Sequence, residues 1–133
     1  MISVKPGSIL LLSLLCFTTA YTQGRFDTFF LNETLRVDYS HTGNATTEKE
    51  EVTVIYRYGI WAGSTVNLLD TLNYGAYYYK VYDKKSGNLI YSKGFDSYFK
   101  EYQTSTPAIE GNIKTFYESA MLPFPKNKIP PTS

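Results

Sequence analysis

Short runs of alternating apolar and polar residues recur along this chain, and none is long enough to build a helix. Leu35, Val37 and Tyr39 alternate with Arg36 and Asp38, the period of two that gives a strand one buried and one wet face. A polar stretch from His41 to Lys49 follows, with the turn pair Gly43-Asn44. Val52, Val54, Tyr56 and Tyr58 then line one face of a second strand, so the two runs are expected to be antiparallel neighbours. Residues 59–73 break the pattern as a loop, in which Val66, Leu68, Leu69 and Leu72 are expected to fold an apolar turn back over the core. Tyr77, Tyr79 and Val81 resume the alternation. Asp83 to Asn88 makes a hairpin turn with Gly87 free to turn left-handed, and Leu89 to Phe95 returns as the partner strand. Ser97 to Gly111 reads as a long polar connection, and Ile113 to Leu122 as a last strand with Phe116, Ala120 and Leu122 on one face, ended by Pro123 and Pro125. Such a series of short strands predicts an all-β fold, an antiparallel β-sandwich of immunoglobulin-like or related Greek-key type. The 13 tyrosines, 8 phenylalanines and one tryptophan suit half-buried pleated strands.

The first 20 residues do not belong to that pattern. Lys5 precedes the apolar run Ile9 to Phe17, and Thr18, Thr19 and Ala20 supply small residues before the chain turns polar, the layout of a secretory signal. The run is less than half the roughly 20 residues needed to span a bilayer, so no transmembrane helix is expected. Residues 1–20 are assigned as signal peptide, with cleavage after Ala20 and a later site near Gly24 as the alternative. Residues 21–126 form the sandwich, and residues 127–133 a tail. The protein is therefore expected to be exported, secreted or periplasmic. A lipoprotein acylated on Cys16 is disfavoured, because Leu15 stands where a small residue is wanted. In the tail, Lys128-Ile129 begins an apolar strand that Pro130-Pro131 stops at once. A shortened chain, its sandwich lacking a terminal strand, would expose unpaired edge groups and could dimerise edge to edge.

Residue counts restrict the chemistry. Cys16 is the only cysteine and His41 the only histidine, so no His/Cys zinc cluster can be assembled and no Cys-His pair survives export. A Ser-His-Asp triad would have to use His41, without the Gly-x-Ser-x-Gly elbow. With one imidazole and no thiol, the folded chain is expected to hold no hydrolytic metal, to carry no cofactor or catalytic residue, and to act through its surface. His41 itself is expected to be an exposed loop residue, and Glu48, Glu50 and Glu51 a solvated run without the graded spacing of a calcium loop. A net charge of +1 without basic clusters argues against nucleic acid as a partner. Aromatic planes are what glycan or peptide ligands stack upon, which makes Trp61, Tyr74 and Tyr78 the candidate binding residues. Tyr77 and Tyr79 fall on the opposite face from Tyr78 and belong to the core.

Several motifs carry a family likeness: Tyr58-Gly59-Ile60-Trp61-Ala62-Gly63-Ser64, Asn67-Leu68-Leu69-Asp70, Lys80-Val81-Tyr82-Asp83, Ile90 to Phe99, Glu118-Ser119-Ala120 and Pro123-Phe124-Pro125. With these the chain resembles, from about Phe26 to Lys126, the N-terminal domain of secreted bacterial IgA-peptidase-type zinc metallopeptidases, peptidase family M64. The resemblance implies a β-sandwich that precedes a separate zinc-peptidase domain, with that catalytic domain or its protein substrate as partner. The His-Glu-x-x-His zinc helix of the family's catalytic domain does not occur in this sequence, so none of the family's catalytic residues is carried over.

Overall fold

The computed structural model describes residues 25–127; the leader, Cys16 and the tail from Lys128 onward lie outside the described residues. Five strands carry the fold: β1 (Phe30–Gly43), β2 (Glu48–Arg57), β3 (Tyr77–Tyr82), β4 (Leu89–Phe95) and β5 (Lys114–Pro125). All pair antiparallel, β1 lying between β2 and β5 in one sheet and β3 with β4 forming the other. The expected all-β antiparallel sandwich is what the chain forms.

The buried face of the larger sheet follows the alternation. Leu35, Val37, Tyr39 and His41 of β1 stand opposite Leu122, Ala120, Glu118 and Phe116 of β5, and residues two apart on a strand share a face. The β3–β4 hairpin closes over this face. Tyr79 meets Tyr39 edge to face at 6.4 Å, and Tyr91 meets Phe30 at the same spacing. Leu35, Val81, Ile90 and Leu122 fill the space between the sheets.

Several local expectations change. The turn between β1 and β2 is tighter than the polar stretch suggested, because Asn44 Oδ1 accepts the amides of Thr46 and Thr47 at 3.0 and 2.9 Å. Both strands therefore run up to it. Val52, Val54, Tyr56 and Tyr58 do not share one face, since the register shifts between Asp38 and Tyr39. Thr53 is the extra residue of a β-bulge, its hydroxyl donating to the Asp38 carbonyl at 2.9 Å, and a bulge reverses facing beyond it. Val52 consequently lies opposite Tyr39 while Tyr56 lies opposite Arg36 on the outer face, under the guanidinium. Pro123 does not end β5; it pairs with Thr34, and the strand runs on to end at Pro125 opposite Phe30, which an edge strand allows because an imide nitrogen facing outward forfeits no ladder bond. The connection after β4 contains two short helices, Tyr98–Tyr102 and Thr106–Ile109. In the 59–73 loop only part of the apolar turn is buried. Leu68 is 4% exposed, whereas Leu72 is 69% exposed.

That loop nevertheless has a firm anchor. Leu68 and Asp70 exchange backbone hydrogen bonds with Ser92 on the outer edge of β4, and Asp70 Oδ2 accepts the Gly94 amide at 2.9 Å. Gly94 must be glycine for this approach, because a Cβ there would lie 2.0 Å from the Tyr74 carbonyl oxygen.

Candidate functional site

A concentration of ionisable groups is built around His41, at the end of the sandwich where β1 turns into β2. His41 is not an exposed loop residue. It continues the alternation Leu35, Val37, Tyr39 by one more step, lies on the buried face and is 1% exposed. Its ring stacks on Phe99 at 4.0 Å and meets Tyr77 edge-on at 5.2 Å. Nor do Glu48 and Glu50 lie in a loop; both are on β2 with the same facing as Val52, which turns them toward the imidazole.

Each ring nitrogen faces carboxylate. His41 Nε2 is 2.7 Å from Glu48 Oε1 and 3.8 Å from Glu50 Oε1. Nδ1 is 3.3 Å from Ser97 Oγ and 3.5 Å from Glu118 Oε2. Glu118 in turn accepts from the Ser97 hydroxyl and, at 2.8 Å, from the Tyr39 hydroxyl, which is 3.0 Å from that of Tyr79. Burial alone would raise the Glu48 carboxyl, but the approach of the Tyr77 hydroxyl and the His41 hydrogen bond outweigh it and hold Glu48 below the usual range. Tyr39 is pushed far above an ordinary phenol, first by burial and then by its contacts with Tyr79 and Glu118. The Tyr77 hydroxyl is raised in the same direction by burial and by Glu48, Glu50 and Glu118 around it.

Ser97, His41 and Glu48 stand in the order hydroxyl, imidazole, carboxylate. Nucleophilic catalysis does not follow, because an attacking oxygen needs a free approach to substrate. Ser97 is 7% exposed; its oxygen caps the following helix by accepting the Phe99 amide at 3.0 Å and gives its proton to Glu118. As arranged, the cluster can hold strands together and offer His41 Nε2, Glu48 and Glu50 to a cation, since one ligating atom from each lies within 4.8 Å of the others.

Of the residues singled out as an aromatic platform, Tyr74 and Tyr78 both border Gly94, and Trp61 and Tyr78 line different grooves. Trp61 lies half-buried in a groove of about 720 Å³ formed with the 63–72 loop and β4. Its indole N–H donates to the Ser64 carbonyl at 3.1 Å, and Gly63 packs so tightly on the ring that a Cβ there would lie 2.1 Å from Cζ2. Tyr74 is 74% exposed near Gly94, and Tyr78 lines a different groove of about 330 Å³ with Val37, Val52, Ala120 and Leu122. The sequence reading missed the Glu118 and His41 pairing. The signal was present, because Glu118 lies between Phe116 and Ala120 in the same period-2 series.

The other notable surface is β2 itself. It is an outer strand of its sheet and exposed along its whole length, with Val52, Val54 and Ile55 at 45%, 51% and 53%. Among the described residues no helix is long and apolar enough to cross a membrane. A family model described as Peptidase M64 N-terminus matches residues 25–131. None of the curated proteins matches the chain.

Proposed function

The chain belongs to the Peptidase M64 N-terminus family, and from that premise we propose that it is a non-catalytic, exported accessory domain that packs against an M64 peptidase domain through β2. The carrying observation is the outer strand, whose apolar half is about half exposed. Val52, Val54 and Ile55 lie within four consecutive residues, on both faces of an edge strand whose backbone groups on one side have no strand neighbour among the described residues. An edge of this kind is a template for added chain and is ordinarily blunted or covered. Inter-domain surfaces are of modest area and mixed polarity, which fits a strand that is acidic at Glu48–Glu51 and apolar beyond. Positioning a protein substrate for the same peptidase would use the same strand. A stand-alone glycan-binding module is less well supported, because Gly63 covers part of the Trp61 ring on which a sugar would stack.

The test mixes the full chain with a separately produced M64 catalytic domain and measures association by calorimetry. A one-to-one complex weakened at least tenfold by Val54→Lys is expected. No association, or association indifferent to that substitution, overturns the reading. In the same preparation the chain alone should leave casein uncut; cleavage by the chain would make it an enzyme.

A further inference from the structure

We propose that His41, Glu48 and Glu50 bind one divalent transition-metal cation of the zinc class, which clamps the start of β2 onto β1. The inference does not rest on the packing role above.

Zinc takes imidazole nitrogen and carboxylate oxygen at about 2.0–2.2 Å in a tetrahedral shell, which puts neighbouring ligand atoms about 3.3–3.5 Å apart. The separations of 2.7 and 3.8 Å from His41 Nε2 to Glu48 and Glu50 bracket that spacing. Small rotations of two glutamates whose side chains are 33% and 53% exposed would meet it. A mixed imidazole and carboxylate set suits zinc or manganese better than the all-oxygen shells of calcium or magnesium.

Two observations separate this cluster from a chance gathering of acids. The imidazole is held by two rings, Phe99 stacked on its face and Tyr77 edge-on, and its far nitrogen faces Glu118 and Ser97. A carboxylate behind a ligating histidine sets the tautomer and orients the ring so that the other nitrogen presents its lone pair to the metal. Beside it, the Tyr77 hydroxyl oxygen is shut off from solvent among Glu48, Glu50 and Glu118 and approaches Glu48. A cation held by Glu48 and Glu50 offsets the negative charge gathered there. The counting of His and Cys alone misses the site because two of its three donors are glutamates, aligned with His41 only by the β1–β2 register.

The experiment strips the full chain with chelator and titrates it with zinc chloride, then with manganese and calcium chloride in parallel. Calorimetry, thermal unfolding and the NMR signals of the single imidazole are the readouts. One zinc per chain is expected, with micromolar or tighter affinity, a raised melting temperature and shifted His41 ring signals; calcium should bind at least tenfold more weakly. Glu48→Gln/Glu50→Gln should lose at least a hundredfold in zinc affinity and Glu51→Gln should lose none. Glu50→Gln alone serves if the double variant does not fold. Absence of zinc uptake, unmoved His41 signals, or uptake that survives Glu50→Gln and the double substitution overturns the proposal.

Discussion

Tyr39 is where burial and hydrogen bonding are most closely tied at the level of one side chain. It is 8% exposed, and its hydroxyl serves both Glu118 and Tyr79. Removing that hydroxyl leaves a partly buried carboxylate short of a donor, and an unmet buried polar group costs more than a net hydrogen bond contributes. Tyr39→Phe should therefore lower unfolding stability by about 1–3 kcal/mol, read from urea denaturation. Ile60→Ser, at a side chain 76% exposed, should stay within about 0.5 kcal/mol of the parent. If the two variants unfold alike, the Tyr39–Glu118 contact contributes nothing. The placement of Tyr39 was legible from alternation, but its partner was not, since pairing with Glu118 depends on how β5 registers against β1.

Among the elements, the 59–73 loop is held by a different device. Asp70 accepts the backbone amides of Leu72 and Gly94, and these bonds hold its carboxyl below the ordinary value of 3.8. A folded-state pKa below the unfolded one stabilises the fold above the unfolded value, and the contribution is lost as pH falls through the folded one. Asp70→Asn should thus melt below the parent at neutral pH, and the gap should close as the pH is taken below 3.8. A gap independent of pH would show that shape rather than charge is at work. Gly87 in the β3–β4 turn has φ 71°, as its sequence setting predicted, because a local turn is decided by local residues. The β2 bulge was not legible in the same way. Nothing in Val52-Thr53-Val54 marks the extra residue, which exists only relative to Asp38 and Tyr39 on the neighbouring strand.

For the whole molecule, the β2 edge, which has no strand neighbour on one side among the described residues, has a consequence when nothing is packed on it. Two copies can add edge to edge, and a lysine on an outer strand is a common block to such pairing. The full chain is expected to show a monomer–dimer equilibrium by sedimentation. Val54→Lys should shift it to monomer while changing stability by no more than about 0.5 kcal/mol; a strictly monomeric parent at high concentration would remove this use of the edge. Sequence by itself determined the all-β class, the hairpin turn at Gly87 and the buried faces of β1 and β5, because strand periodicity and turn chemistry are written over a few neighbouring residues. It also carried enough of the family motifs to point to the M64 N-terminus. Only the tertiary structure decided that His41 is enclosed by Glu48, Glu50, Ser97 and Glu118. These residues come from strands and a helix cap spread over the chain, and register between such segments is set by packing and bulges rather than by any short stretch of sequence.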